Sequence, residues 1–302
     1  MQRAAPAVDA SPTVLRTRGW SDYELIDSGG GRKLERFGAL RVVRPEPQCL
    51  WTPRLSEADW TRVDAVFDPD GEEDEGRWRC AGPLPAPFPL AWDGVRFLAR
   101  LTPFRHLGFF PEQAANWAWI AEQLAAATRP ARLLNLFGYT GVASLVSARA
   151  GASVTHVDAS RRSVGWAREN AALSDLADRP IRWLAEDARK WVEREARRGA
   201  AYEAIVLDPP KYGRGPGGEI WRLLEDLPGL AHGLARLLSP GASFVLINAY
   251  ADRISGLALA GLLADALAGR GGRIAWGELA LAEADGGRGI GASFFARWTA
   301  AP

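Results

Sequence analysis

The residues that could do chemistry begin with a rigid polar turn after the apolar run of residues 205–207. The turn consists of Asp208, Pro209, Pro210, Lys211 and Tyr212. Neither proline can donate to a sheet ladder and each fixes its own φ, so a strand must end at Asp208. Ligands of parallel α/β sheets bind outside the carboxyl ends of the strands, which makes this acid a candidate site. The turn could also serve only to end the strand.

Three other predicted strands end in glycine or acidic residues. Residues 138–141 follow the first strand, Asp158 follows the second, and Glu186 and Asp187 follow the third. A glycine turn lets a ligand approach the backbone and places a helix N-terminus beside it. Asp158 lies 20 residues after Gly138, where a second-strand acid accepts hydrogen bonds from a ribose diol. The pattern predicts a nucleotide-like cofactor.

Two classes of cofactor use this layout. NAD requires G-x-G-x-x-G, in which the middle glycine makes room for the pyrophosphate. Tyr139 and Thr140 stand between Gly138 and Gly141, so that fingerprint is missing. S-adenosyl-L-methionine needs less room at this turn and an acid beside its adenine, which Asp187 would supply. The residues therefore favour S-adenosylmethionine over NAD.

The elements that must position these residues alternate between buried strands and amphipathic helices, which indicates βαβ units and a parallel sheet. Strands are predicted over residues 132–136, 153–157, 181–184, 205–207 and 243–247. Helices are predicted over residues 114–127, 163–173, 188–198 and 219–238, with another that ends at Ala150. A hairpin of residues 273–281 and 292–299 would complete a Rossmann-like α/β sheet of seven strands.

The chain divides into three predicted segments. Residues 1–19 have scattered prolines and charges, which predicts a flexible tail. Residues 20–110 contain short strands, turns and prolines, and predict a small β-rich domain. Residues 111–302 form the predicted α/β domain.

Composition narrows the possible classes of function. Of the 302 residues, 47% are hydrophobic and the net charge is +1, so no global positive field indicates a nucleic-acid partner. Two cysteines and three histidines without ligand spacing predict no metal site and fit a reducing, cytoplasmic setting. The most apolar segment, residues 254–268, contains Asp265 and is too short to span a bilayer.

The motifs together resemble class I S-adenosylmethionine-dependent methyltransferases, most closely the family of bacterial large-subunit ribosomal RNA base methyltransferases. The resemblance covers roughly Arg105 to the C-terminus. Its motifs are Asn135-Leu-Phe-Gly-Tyr-Thr-Gly141, Asp158-Ala-Ser160, Glu186-Asp187 and Asp208-Pro-Pro-Lys-Tyr212. Residues 109–113, Phe-Phe-Pro-Glu-Gln, resemble a segment that closes over the cofactor in that family, with Pro-Glu in place of Leu-Asp.

The resemblance implies a cofactor-binding role for a set of residues near the strand ends. They are Phe110, Gln113, Asn135, Phe137, Gly138, Tyr139, Thr140, Gly141, Asp158, Ser160, Glu186, Asp187 and Asp208. Within the set, Asn135, Phe137, Gly138 and Thr140 would line the methionine end, Asp158 and Ser160 the ribose, and Asp187 the adenine.

The resemblance also implies how the acceptor is held. If the acceptor is an exocyclic amine, Asp208 and the Pro209 carbonyl would accept its two N–H bonds and aim its lone pair at the methyl group. Lys211 or Tyr212 would hold the base by a charge-assisted contact or by stacking. With a lysine in this turn, a ring nitrogen is an equally possible acceptor.

Two departures from the family pattern narrow the expectation. Residues 248–251 stand where relatives that methylate cytosine C5 have a cysteine, which disfavours covalent attack on a pyrimidine. The chain before Tyr23 is too short for the PUA domain of many relatives. The expected reaction is methylation of a nitrogen in an RNA base. The alternatives are a methyltransferase for a small molecule or protein, and a non-catalytic RNA-binding module.

Three further features carry local predictions. Residues 213–218 are rich in glycine and form either a mobile loop that closes on the acceptor or a simple connector. His156 lies inside the second strand and is predicted to be buried and hydrogen-bonded. Trp221 is one of several tryptophans predicted to pack in the core.

Overall fold

A computed structural model of the chain describes residues 5–71, 75–84, 86–250, 253–284 and 286–301. Ala251, the last residue of the stretch compared with the cytosine C5 enzymes, lies outside this part. The chain forms two compact units. The first contains Met1–Leu15, Asn116–Leu279 and Ala292–Pro302, and the second contains Arg16–Ala115 and Ala280–Gly291.

The secondary structure alternates as the sequence predicts in the second half of the chain. The strands are β1 (Ala7–Val8), β2 (Thr13–Thr17), β3 (Tyr23–Gly29), β4 (Arg32–Phe37), β5 (Leu40–Pro45), β6 (Ala65–Pro69), β7 (Gly76–Cys80), β8 (Phe88–Trp92), β9 (Val95–Ala99), β10 (Arg132–Leu136), β11 (Ser153–Asp158), β12 (Ile181–Ala185), β13 (Ala204–Leu207), β14 (Tyr212–Arg214), β15 (Ile220–Arg222), β16 (Phe244–Ala249), β17 (Arg273–Ala282) and β18 (Gly289–Thr299). The helices are α1 (Glu57–Thr61), α2 (Ala114–Ala125), α3 (Val142–Arg149), α4 (Arg161–Leu173), α5 (Ala188–Arg197), α6 (Leu223–Leu237) and α7 (Gly256–Ala266), with a 3-10 helix at Pro111–Gln113.

The large sheet confirms the predicted Rossmann-like α/β fold. Its strand order is β1, β17, β18, β16, β13, β10, β11, β12, and β2 also pairs with β17. Strands β12, β11, β10, β13 and β16 are parallel, and β18 runs antiparallel to β16. The seven predicted strands are present, and β1 and β2 raise the number to nine. Parallel alignment brings the carboxyl ends of β10, β11, β12 and β13 to one edge.

Two short strands, β1 and β2, lie within the segment that the sequence predicts to be a flexible tail. Ala7 and Val8 pair with β17, and the Asp9 carboxylate accepts hydrogen bonds from the Arg273 guanidinium at 2.5 and 3.0 Å. A Cβ on Gly277 would lie 1.8 Å from the Thr13 carbonyl oxygen, so this glycine makes room for the close approach of β2. Residues 7–8 and 13–17 therefore pair with β17, which lies near the far end of the chain.

Burial explains why the central strands are continuous apolar runs. All four positions of β13 are buried, as are all six of β16. Helices α5 and α6 cover this part of the sheet with Trp191, Leu227 and Leu234, which belong to the same hydrophobic cluster as Ile205 and Leu207. A strand buried on both faces has no polar alternation, as parallel sheets require.

The second unit is the predicted β-rich domain, with different bounds. It contains a sheet in the order β3, β4, β5, β6, β7 and a separate β8–β9 hairpin. Residues 280–291 also belong to it. Glu283 accepts a hydrogen bond from the Ser28 hydroxyl at 2.6 Å, and the Arg288 guanidinium binds Asp27 at 2.9 Å. These buried polar contacts join residues 280–291 to β3.

Among the described residues, none of the helices is both long enough and apolar enough to cross a bilayer.

Candidate active site

Asp208 leaves the sheet between two neighbouring strands, because β13 lies between β10 and β16. Its Oδ1 accepts a hydrogen bond from Asn248 Nδ2 at 2.7 Å. The Asn248 Oδ1 in turn accepts one from the Ser293 hydroxyl at 3.2 Å. Asn248 is buried at the end of β16 and orients the acid. Sequence reasoning did not single out Asn248 for this role, although the rule that located the other polar strand ends applies to it.

The residues after the two prolines form a two-stranded ribbon, β14 and β15, which the sequence did not predict. Residues 220–222 were assigned to the start of a helix, but α6 begins at Leu223. The Gly215 amide donates to the Glu219 carbonyl at 2.8 Å, and the Gly217 amide donates to the Glu219 carboxylate at 2.9 Å. Glu219 also pairs with Lys190. The glycine-rich stretch is therefore the tip of a hairpin.

Trp221 connects the proline turn of residues 208–212, which we call the acceptor turn for its proposed role, to the glycine turn of residues 137–141. Its indole Nε1 donates a hydrogen bond to the Pro210 carbonyl at 2.7 Å, and its ring centroid lies 4.8 Å from that of Phe137. The side chain is buried, which confirms the prediction that it packs in the core. A displacement of the Phe137 turn would therefore be transmitted to the proline turn through one rigid side chain.

The turn after β10 has an unusual backbone. Phe137 has φ 55° and Tyr139 has φ 49°, although neither is glycine, and Gly141 has φ 87°. Left-handed non-glycine residues each cost about 1–3 kcal/mol and persist where the surroundings hold them, often at ligand sites. The Tyr139 amide donates to Asp158 Oδ2 at 2.9 Å, which helps to hold this conformation.

Gly138 is required by a side chain beneath the turn. A Cβ at this position would lie 2.4 Å from Cε1 and 2.5 Å from Nδ1 of His156. At Gly141 a Cβ would lie 2.8 Å from the Ala167 Cβ. The expected close approach of a ligand to this backbone stays a prediction. The structure adds that the protein itself needs both glycines for packing.

A buried hydrogen-bond chain lies under the same turn. Asn135 Nδ2 donates to the Ser144 hydroxyl at 2.9 Å, and the Ser144 Oγ lies 3.0 Å from His156 Nδ1. The His156 ring packs 4.8 Å from the Trp183 ring centroid. His156 is buried and hydrogen-bonded as predicted. Burial lowers its pKa to about 3, so the imidazole is neutral. The role of Asn135 at the methionine end stays a prediction.

Acidification should lower the unfolding free energy because His156 is buried as a neutral imidazole. In the unfolded chain the imidazole has an ordinary pKa of about 6.5, so it takes up a proton before the buried group does. The stability of the neutral form is therefore fully present above about pH 6.5 and is lost as the pH falls toward about 3. Between pH 7 and pH 5, wild type should lose about 2 kcal/mol more unfolding free energy than His156→Gln.

Urea unfolding at the two pH values measures this difference. An equal loss of stability for wild type and His156→Gln would contradict the assignment of a buried neutral imidazole.

Asp158 lies at the end of β11 and is fixed by two backbone amides. Its oxygens accept hydrogen bonds from Tyr139 at 2.9 Å and Ser160 at 2.8 Å. Each carboxylate oxygen has two lone pairs, so there is capacity for two further donors such as ribose hydroxyls. Burial raises the pKa of Asp158. The Ser160 hydroxyl caps helix α4 by accepting from the Ser163 amide at 3.1 Å.

Asp187 lies at the end of β12 and caps helix α5. Its Oδ1 accepts from the amides of Arg189 and Lys190 at 3.0 and 3.1 Å. The Glu186 amide donates to the Asp158 carbonyl at 3.0 Å, which keeps these two strand ends adjacent, and the Glu186 carboxylate pairs with Arg194. The adenine-binding role of Asp187 stays a prediction, and its cap places the carboxylate firmly at the sheet edge.

Two other residues of the glycine turn are mostly buried. Thr140 is buried, and its carbonyl accepts a hydrogen bond from Asn170 Nδ2 at 2.9 Å. Burial raises the pKa of Tyr139 to about 12, and its ring lies 6.4 Å from that of Trp166. Tyr139 is therefore uncharged at neutral pH, as a neighbour of the Asp158 carboxylate should be.

Phe110 and Gln113 belong to the other compact unit. The Phe110 ring lies 4.6 Å from the His106 ring, and the Gln113 amide donates to the Phe110 carbonyl at 3.1 Å. Closure of this segment over the cofactor stays a prediction.

The hydrogen-bond acceptors and the backbone turn at the sheet edge fit a nucleoside cofactor. A half-buried acid with spare acceptor capacity follows β11, a second acid follows β12, and the turn after β10 is held in a left-handed conformation. Within the described part of the chain, no three or more histidine, cysteine, aspartate or glutamate side chains are grouped so that they could hold a metal ion.

Comparisons with known proteins agree with this arrangement. The family model for S-adenosylmethionine-dependent methyltransferases matches residues 62–258. A crystal structure of the S-adenosylmethionine-dependent methyltransferase from Agrobacterium tumefaciens is 47% identical, covers 99% of this chain and 97% of that chain, and has a TM-score of 0.94. A putative methyltransferase from Streptococcus mutans shares the fold, with 14% identity, coverage of 93% and 76%, and a TM-score of 0.70.

The curated relatives are much longer than this chain. The ribosomal RNA large subunit methyltransferase K/L of Shewanella sp. strain ANA-3 is 33% identical over 158 residues, which are 51% of this chain and 22% of that protein. The match therefore spans about a fifth of the relative's length.

Proposed function

Since this chain belongs to the S-adenosylmethionine-dependent methyltransferase family, we propose that it methylates a nitrogen atom of an RNA base, in ribosomal RNA. The observation that carries the proposal is the Asp208 turn, which Asn248 and Trp221 fix beside the glycine turn. The name of the Shewanella relatives supports an RNA acceptor. A ribosomal RNA acceptor would place the reaction in the cytoplasm.

The proposed chemistry needs little more than alignment. S-adenosylmethionine supplies, when bound, a methyl group on a positively charged sulfur. Orientation of two reactants and exclusion of water can lower a barrier by about 7–11 kcal/mol. Asp208 and the Pro209 carbonyl would accept hydrogen bonds from the N–H groups of the acceptor nitrogen. The two prolines keep these acceptors rigid, because each fixes its own φ.

The next residues would hold the RNA at the acceptor base and beside it. Lys211 would contribute a charge-assisted contact and Tyr212 a ring for stacking. The Pro210 carbonyl is occupied by Trp221, so within the proline pair the proposed acceptor is the Pro209 carbonyl.

The cofactor would lie along the strand ends. Asp158 would accept the ribose hydroxyls, Ser160 would support that loop as the cap of α4, and Asp187 would lie beside the adenine. Phe137, Gly138, Tyr139, Thr140 and Gly141 would form the wall at the methionine end. The remaining acceptor capacity of the Asp158 carboxylate and the left-handed turn support this orientation.

Removal of the Asp158 charge should mainly weaken cofactor binding. Two hydrogen bonds from ribose hydroxyls to a carboxylate are lost or weakened, so the affinity of Asp158→Asn for S-adenosylhomocysteine should fall about 10- to 100-fold. Calorimetry measures this affinity, and Asp178→Asn, at an exposed position, should bind like wild type. The rate at saturating S-adenosylmethionine should change only a few-fold.

The pH dependence of binding separates charge from shape at Asp158. Burial raises its pKa, so protonation removes the ionised acceptor at a higher pH than for an ordinary aspartate. Wild-type affinity should therefore fall as the pH is lowered toward this raised pKa, whereas the affinity of Asp158→Asn should stay flat. A pH-independent wild type would contradict the ribose role.

Transfer of a labelled methyl group tests the class of acceptor. Purified protein is incubated with labelled S-adenosylmethionine and a fractionated extract of cells in which its gene is deleted. We expect label in RNA, mainly in ribosomal RNA. Label only in protein or small molecules would reject the RNA proposal and leave the methyltransferase assignment in place.

A further inference from the structure

The ribbon that follows the acceptor turn has one outer face with a distinct composition. Pairing sets Tyr212 opposite Arg222 and Arg214 opposite Ile220. Because side chains alternate between the faces of a strand, these four project from the same face. All four are exposed, Tyr212 to 49% and Ile220 to 42%. An aromatic ring, an aliphatic side chain and two guanidinium groups therefore share one small surface.

The opposite face fixes the ribbon in place. It consists of Gly213 and the buried Trp221, which is hydrogen-bonded to the Pro210 carbonyl. The Arg189 guanidinium donates to the Ile220 carbonyl at 2.8 Å and lies 5.9 Å from the Trp221 ring. The outer face is thus held at a constant position relative to the acceptor turn.

Charge and ring together point to single-stranded nucleic acid. Proteins that bind such strands combine stacking aromatic rings with cations that contact phosphates. Arg222 pairs with Glu225 at 3.3 Å, but both side chains are more than half exposed. Exposed pairs of this kind contribute little, so a phosphate can displace the carboxylate. Tyr212 directly follows Lys211, so a strand on this face would pass the acceptor turn.

We propose that the outer face of the ribbon binds the nucleotides beside the methylated base. Tyr212 stacks on the neighbouring base, and Arg214 and Arg222 contact phosphates. Lys211 contacts the target base. Ile220 packs against the ribose or base edge between them. This inference rests on the proposed RNA acceptor. It adds the surface that determines the path of the RNA strand beside the methylated base.

Direct binding of RNA tests the two arginines. The full chain with S-adenosylhomocysteine is titrated into a fluorescently labelled single-stranded RNA of about 12 nucleotides, at several salt concentrations. Arg214→Glu combined with Arg222→Glu should weaken binding at least about 10-fold. It should also reduce the slope of log affinity against log salt by about 1.4, since each phosphate contact contributes about 0.7.

A matched double variant controls for net charge. Arg179 and Arg182 are also exposed and lie at the amino end of β12, away from the acceptor turn. Arg179→Glu combined with Arg182→Glu makes the same change in charge and should bind RNA like wild type. Both double variants should bind S-adenosylhomocysteine normally.

The tyrosine is tested by a conservative pair. Loss of one stacked base should make Tyr212→Ala bind RNA about 5- to 100-fold more weakly. Tyr212→Phe keeps the ring and should bind like wild type. A merely structural role would instead lower the thermal midpoint of Tyr212→Ala, which should stay at the wild-type value because the side chain is exposed.

The outcomes separate the ribbon from the proposed function. RNA binding that is equal in wild type, the ribbon double variant and Tyr212→Ala would overturn the inference, as would a wild type that does not bind RNA. If RNA is methylated but the ribbon variants bind normally, only the inference fails. If ribbon variants lose RNA binding while wild type methylates no RNA, the ribbon is an RNA-binding face, but the proposed acceptor fails and with it the claim that the bound nucleotides flank a methylated base.

Discussion

Replacement of Asp208 with alanine should lower the rate of methyl transfer by about 10²–10⁴-fold. The carboxylate is held by Asn248 at the centre of the sheet edge, where it is proposed to accept an N–H bond of the acceptor and to aim its lone pair. Its removal leaves the nitrogen misaligned. Single-turnover transfer to RNA at saturating cofactor measures the loss directly.

The fold and the cofactor site should survive this change. The Asp208→Ala variant should keep its thermal midpoint and bind S-adenosylhomocysteine within about tenfold of wild type. Asp178→Ala, at an exposed position, is the matched control and should transfer methyl groups at the wild-type rate. Equal rates for Asp208→Ala and wild type would show that the acceptor lies elsewhere.

Replacement of Gly138 with alanine should abolish measurable cofactor binding. The new Cβ would lie 2.4 and 2.5 Å from atoms of the His156 ring, which is fully buried between Ser144 and Trp183. The ring has no room to move, so the turn must shift. Overpacking of this kind costs about 1–3 kcal/mol of stability, and the shifted turn no longer fits the cofactor. Calorimetry with S-adenosylhomocysteine and thermal unfolding measure the two effects.

Two further variants keep this prediction specific. Gly165→Ala lies in helix α4, where an added Cβ would meet nothing within 4 Å, so it should be neutral or stabilise by up to about 1 kcal/mol. His156→Ala opens the space beneath Gly138 and should partly restore cofactor binding to Gly138→Ala. Non-additivity in this double-mutant cycle is expected, because the two residues are in contact. Additive effects would contradict the packing account.

The sheet edge was predictable because apolar runs bounded by glycine, proline and acids have few alternatives. The predicted strand over residues 132–136 coincides with β10, and the acids at 158, 187 and 208 lie at the carboxyl ends of β11, β12 and β13 on one edge of the sheet. Each prediction depended on short-range pattern. The alternation of apolar strands and amphipathic helices then implied a common edge for the strand ends.

Contacts between distant segments could not be predicted in this way. The strand of residues 220–222 is too short to show an alternation of polar and apolar side chains. Its pairing with β14 depends on the contacts of Glu219 at the tip of the hairpin. The bond from Asn248 to Asp208 and the packing of His156 on Gly138 join residues far apart in the chain. Their signal in the sequence is only a polar residue inside an apolar strand.

The first strands show the same limit. Two residues, Ala7 and Val8, are too few to predict a strand, and they become one because β17 offers a free edge and Arg273 binds Asp9. Likewise, residues 280–291 lie within a hairpin that the sequence predicts, but they belong to the second compact unit. Glu283 and Arg288 bind side chains of β3 there.

The most direct test of the account is mass spectrometry of nucleosides from ribosomal RNA. RNA from cells that lack the gene is incubated with the protein and with S-adenosylmethionine that carries a deuterated methyl group. We predict one labelled nucleoside with the methyl group on a base nitrogen, and at least about 100-fold slower labelling when Asp208→Ala replaces wild type. A methyl group on a base carbon or on the ribose, or labelling by Asp208→Ala at the wild-type rate, would contradict the account.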